Sequence, residues 1–220
     1  MDIKFFLKKR TRFILYFYEA TISPFTKTIN DIENERTPYI PRYSEDEEPP
    51  FLSEWIDAKS GLEVCGHHVL SMLASSLQLY LKAWVDRLDE SHGMTFNVNF
   101  KKRGWLHGYY AIFKEVGLDI STCPANLDLI EQILLVRNRV QHPKQLTTVN
   151  VSHSERDLKK TLSPYFIRES ELTLTSEQEN QSWMFPPTIS PKKEEIIEAI
   201  LNIEKFSSWL EAEYWMTKNA

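Results

Sequence analysis

The chain has 220 residues, 42% of them apolar and 26% charged, with a net charge of −5. That length suits one sizeable domain, and the charge balance excludes a generally basic nucleic-acid binder. Cys65 and Cys123, the two cysteines, form no spaced series, so a secreted disulfide scaffold is not indicated and both thiols are expected reduced and intracellular.

The N-terminal stretch MDIKFFLKKRTRFILYFYEATISPF places basic residues before an apolar run. Glu19 cuts that run short and no small-x-small cleavage site follows, so it does not read as a leader, and it is too short to span a bilayer. The pattern predicts an amphipathic helix from Ile3 to about Asn30, packed on the rest. A membrane-surface helix is the weaker alternative, resting on Lys4, Lys8, Lys9, Arg10 and Arg12. A cytoplasmic protein is expected. RTPYIPRYSEDEEPPF (36–51) has four prolines and an acidic run, and reads as an exposed connection.

From about Leu52 to Glu90, Cys65, Val69, Met72, Leu77, Tyr80, Trp84 and Leu88 fall among apolar residues at three- and four-residue spacing, which gives one apolar helical face. Gly61 and Gly66 are expected to kink or break its first part. A shorter helix is predicted over Lys101–Val116, stopped at Gly117, and another from Pro124, suited to a first turn, to Gln141. Residues 147–189 lack a helical period. Partial alternation in YFIRESELTLT suggests a short β-hairpin there. Ser190 is placed as the cap of a last helix running from Pro191 to about Met216, with Ile196, Ile200, Ile203, Phe206, Leu210 and Tyr214 as its buried stripe. The expectation is a single all-α domain, a bundle of about five helices. Residues 51–146 and 190–217 form its core, 1–35 an extra N-terminal helix and 147–189 an irregular insertion.

One stretch breaks the pattern: LLVRNRVQHPKQ (134–145). Ile130, Ile133 and Leu134 define a buried face, and Arg137, seven residues after Ile130, lies only about 20° from it around the axis. Val140 continues the stripe. A guanidinium there must meet a carboxylate, line a cleft or reach a ligand anion, because an unpaired buried charge costs several kcal/mol or more. Asn138 and His142 share a face at four-residue spacing. An ideal helix sets His142 about 140° from Arg137, but His142 precedes Pro143, a position that disfavours the α conformation and frees the imidazole to turn. An arginine able to hold phosphate bidentately beside a titrating histidine suits phosphodiester cleavage. The plainer readings stay open: Arg137 paired with Glu63 or Glu131, and His142 bonding the last helical carbonyls.

The segment Arg137-Asn138-Arg139-Val140-Gln141-His142, an R-N-x-x-x-H pattern at a helix end, resembles the signature of HEPN domains, which are helical bundles; the resemblance covers 51–146 and the last helix. It implies a metal-independent RNA endonuclease, often a toxin or antiviral effector, acting as a homodimer whose two motifs share one cleft. By that resemblance Arg137 would hold the scissile phosphate, His142 would transfer protons and Asn138 would orient the histidine or the substrate. A protein antitoxin is a further implied partner. Some members only bind RNA or a protein, which is the alternative expectation.

Residues 97–146 carry seven Lys and Arg against four Asp and Glu, the net positive part of the chain. Lys101, Lys102, Arg103, Arg139 and Lys144 are therefore candidate substrate-binding cations. KKRGWLHGYY interleaves such cations with aromatics able to stack on single-stranded RNA, although aromatics at helical spacing are more often core. Cys65 and His68 are three apart, but no second tight pair supports a metal, and no phosphate-cradling loop, dinucleotide fingerprint or H-E-x-x-H is present. No cofactor or metal is expected.

Overall fold

The computed structural model describes residues 2–41, 48–93, 96, 98, 100, 104–143, 149–158, 164–171 and 186–219. Among these, five helices exceed ten residues: α1 (Ile3–Glu33), α2 (Leu52–His92), α3 (Trp105–Glu115), α4 (Leu127–Gln141) and, after the one-turn α5 (Glu155–Leu158), α6 (Lys193–Asn219). The protein is an all-α bundle, as the periodicity predicts.

The central element is α2, against which α1, α3, α4 and α6 all pack. Its face of Leu73, Leu77, Leu81, Trp84 and Leu88 is fully enclosed, and so are Ile130 and Ile133 from α4 and Ile203, Phe206 and Leu210 from α6. Such aliphatic and aromatic surface, removed from water at roughly 25 cal/mol per Å², holds the bundle together. Helix α1 lies along α2, burying Ile3, Leu7, Ile14 and Tyr18; Asp2 starts it by accepting the Phe5 N–H at 2.9 Å.

The expected break in α2 does not occur. The helix is continuous for 41 residues, because its two glycines serve contacts between elements. A Cβ at Gly61 would fall 2.5 Å from the Phe25 ring of α1, and one at Gly66 would fall 3.3 Å from Pro191. The helix ends at Gly93, whose φ of 59° is a left-handed cap that glycine adopts without a steric cost.

Three boundaries also differ. Pro124 lies outside α4: Asn126 is the N-cap, its side-chain oxygen accepting the Leu129 N–H at 3.1 Å, which satisfies a donor that the first turn leaves free. Ser190 does not cap α6. Its hydroxyl donates to Glu63 at 3.0 Å, while Glu195 reaches back to the Lys192 N–H at 2.8 Å. The shorter helix predicted from Lys101 begins at Trp105, Gly104 being its N-cap.

Within 147–189 the described residues show two isolated antiparallel bridges, Ser152 with Thr188 and Ile167 with Ile189. These join segments far apart in sequence; of the stretch YFIRESELTLT, residues 172–175 lie outside the described residues. Phe166 and Ile189 insert fully into the core, and His67 of α2 meets the Ile189 carbonyl at 2.7 Å. No helix among the described residues is long and apolar enough to cross a membrane.

Candidate functional site

Helix α4 buries Leu129, Ile130, Ile133, Leu134 and Val136, and this face fixes where its last turn points. Arg137 follows on it and is half-buried, with Nε enclosed by protein and without a hydrogen-bond partner. Its Nη1 reaches Asn138 Oδ1 only at 3.5 Å, the outer limit of a hydrogen bond. Among the described residues no carboxylate pairs with it. Glu63, one of the two acids considered for that role, is held by Arg168, whose Nη2 contacts its two oxygens at 2.8 and 3.0 Å, and by Ser190. Glu131, the other, faces a cleft on the next side of the helix.

His142 is the C-cap of α4, at φ −127° and ψ 66°. The chain has therefore left the helix before Pro143, as the proline requires. The imidazole is exposed, and among the described residues it bonds neither the last carbonyls nor Arg137 nor Asn138. Arg137 and Asn138 are thus brought together, and His142 stands clear of both.

Arg139 has a different setting. Its Nε donates to Asp157 Oδ2 at 2.9 Å, and its Nη2 donates to the same oxygen and to Ser154 Oγ, at 2.5 and 2.6 Å. This guanidinium ties α4 to α5 and is already occupied. Nothing in the sequence near Arg139 marks Asp157 as its partner, 18 residues away. Lys101, Lys102, Arg103 and Lys144 lie outside the described residues.

Beside the motif, α3, the 3₁₀ turn Ile120–Thr122 and α4 enclose a cleft of about 780 Å³. Trp105, His107 and Tyr110 line one wall; Glu131, Leu134, Leu135 and Asn138 line the other. The α4 residues are spaced so that they share one face, and continuing that spacing by four residues reaches His142. The cleft therefore runs towards the helix end that carries the histidine. The Tyr110 hydroxyl is enclosed without a partner, and its pKa is raised, chiefly by burial and further by Cys123 and Glu131. Asp119, also in the lining, is occupied by the N–H and hydroxyl of Ser121 at 3.0 and 2.8 Å.

Cys65 is buried in the core, its thiol pushed up by that burial. His68 is exposed, with Nδ1 2.8 Å from the Val64 carbonyl. Among the described residues no group of three His, Cys, Asp or Glu side chains is placed to hold a metal ion. No family model, curated protein or solved structure matches the chain.

Proposed function

We propose that the chain is a HEPN-type, metal-independent RNA endonuclease that acts as a homodimer. The observation that supports this reading is the unpaired Arg137: a half-buried guanidinium with an enclosed, unpartnered Nε and no carboxylate among the described residues. Such a cation keeps an unfilled donor that an arriving anion can satisfy, and a phosphate presents two oxygens to its fork. The exposed His142 at the end of the same helix supplies an imidazole able to accept and donate a proton.

The reaction requires two proton transfers. One His142 imidazole takes the proton of a ribose 2′-hydroxyl as that oxygen attacks the adjoining phosphorus. The bond from phosphorus to the 5′-oxygen breaks, and this oxygen receives a proton from the imidazolium of the second copy. The products are a 2′,3′-cyclic phosphate and a 5′-hydroxyl. Arg137 holds the non-bridging oxygens and stabilises the charge that develops on them. Within one chain His142 does not touch Arg137, and a two-fold dimer supplies the second imidazole that the chemistry needs. The aromatic wall of the neighbouring cleft offers stacking surface for an unpaired base. A toxin or defence effector is the setting that this activity fits.

The test is cleavage of a pool of structured and single-stranded RNA in EDTA by the wild type, Arg137→Ala and His142→Ala. Cyclic-phosphate ends are expected, with a loss of about 10²-fold or more in each variant and an unchanged sedimentation coefficient. RNA bound but left intact by the wild type, with Arg137→Ala weakening that binding, would replace this reading with the non-catalytic one.

A further inference from the structure

At the opposite side of α2 the outer surface of α1 is unusually apolar. Phe6, Phe13 and Tyr16 are 49%, 55% and 68% exposed, although aromatics of this size normally bury most of their area. With α2, Phe6 and Phe13 border a recess of about 630 Å³. On α1 its edge follows Phe6, Arg10 and Phe13, and the exposed Phe17 extends that row. On α2 the edge follows His68, Met72 and Ser75, extended by the exposed Leu79. Both rows step by four, three and four residues. This is the stripe with which helices in a coiled coil meet a neighbour, and each stripe is about 16 Å long.

The floor is chemically quiet. Ser71, Ser75 and Ser76 line it, and each donates its hydroxyl to the carbonyl four residues earlier, at 2.8 to 2.9 Å. Apolar side chains can therefore settle there without stripping water from unpaired hydroxyls. Three serines on the α2 wall, beside His68 and Met72, stand across from the aromatics of α1. The rim is cationic: Lys9 and Arg10 border the recess, which has no carboxylate in its lining. Arg10 is held by its Nε bond to Ser76 Oγ at 3.3 Å, and Lys9 stands 4.8 Å from the centre of the Phe5 ring.

We infer that this recess is the docking site for an amphipathic helix of a different protein, one with apolar residues at three- and four-residue spacing and acidic residues beside them. Charge decides the occupant. Residues 3–18 contain five Lys and Arg and no Asp or Glu, so a second copy meeting the first through α1 would set like charges face to face. An anionic lipid surface would rest on the projecting rings and leave the serine floor unfilled, whereas an inserted helix reaches it. The inference does not depend on the nuclease reading, since the recess shares no residue with the α4 motif.

The probe is a fluorescein-labelled helical peptide of about three heptads, with Leu at the two core positions and Glu at the flanking ones, titrated with the full chain. The Glu-flanked peptide is expected to bind at least about tenfold more tightly than a Lys-flanked counterpart at low salt. Phe13→Ser should abolish binding, and Lys9→Glu with Arg10→Glu should invert the preference. These side chains are exposed, so each variant should melt with the wild type. Equal affinity for the two peptides, or indifference to the variants, would overturn the proposal. A self-association lost in Phe13→Ser would assign the face to a second copy. Co-sedimentation with phosphatidylserine vesicles, without peptide binding, would assign it to a membrane.

Discussion

Arg137 and Arg139 stand two residues apart on one helix, yet their surroundings make them opposites. Arg139 satisfies Asp157, whose side chain is only 7% exposed. Removing the guanidinium takes two hydrogen bonds from an enclosed carboxylate, and Arg139→Ala should cost about 3 kcal/mol in urea denaturation. Arg137 pairs with no acid among the described residues, and its Nε is already enclosed and unsatisfied. Arg137→Ala should therefore change stability by less than about 1 kcal/mol in the same experiment. If Arg137→Ala proved as destabilising as Arg139→Ala, the arginine would be structural and the nuclease reading would lose its support. The sequence makes the anomaly of Arg137 visible, because only spacing is needed to see a charge on an apolar stripe. It cannot separate the two arginines, since the acid that claims Arg139 lies on another helix and Glu63, one of the two acids considered for Arg137, is taken by Arg168.

The same limit operates between elements. The stripes of α2, α4 and α6 are legible because a helix repeats every 3.6 residues and the buried face must be apolar. The glycines of α2 read as breaks for an equally sound local reason, their poor helix propensity. What a single sequence does not display is that the Phe25 ring of α1 occupies the space where a Gly61 side chain would stand. Gly61→Ala gains about 1 kcal/mol in propensity but forces an aromatic ring to move in a packed interface. The net expectation is destabilisation by about 1–2 kcal/mol, measured as a lowered urea midpoint. Phe25→Ala in the same chain should remove most of that penalty, because the collision is with this ring. A stabilising Gly61→Ala would show that the two helices have slack where they cross. The boundary shifts at Pro124 and Ser190 have a similar origin: Asn126 is the better cap, and the Ser190 hydroxyl is drawn away by Glu63.

Across the whole molecule, two buried histidines fix the connection before α6: His67 ties it to α2, and His153 ties one part of it to another. His67 lies 2.7 Å from the Ile189 carbonyl and His153 lies 3.0 Å from the Tyr165 carbonyl, each through Nε2, so the neutral ring donates that N–H. Burial lowers both pKa values. The carbonyl contacts oppose it, as do Glu63 near His67 and Asp157 and Glu171 near His153, while His68 and Arg139 reinforce it. With the folded pKa depressed, the unfolded chain binds more protons than the native one once pH falls below about 6.5, so stability declines on acidification and is level above that value. Each histidine contributes at most about 1.4 kcal/mol per pH unit to that slope. Thermal unfolding should thus be insensitive to pH above about 7 and fall steadily between about 6.5 and 5, before most carboxylates begin to protonate. His67→Gln keeps an N–H donor but cannot titrate, and should flatten part of the slope even where it lowers the midpoint. His153→Gln should flatten the remainder. An unaltered slope in both variants would place the acid sensitivity outside these two histidines.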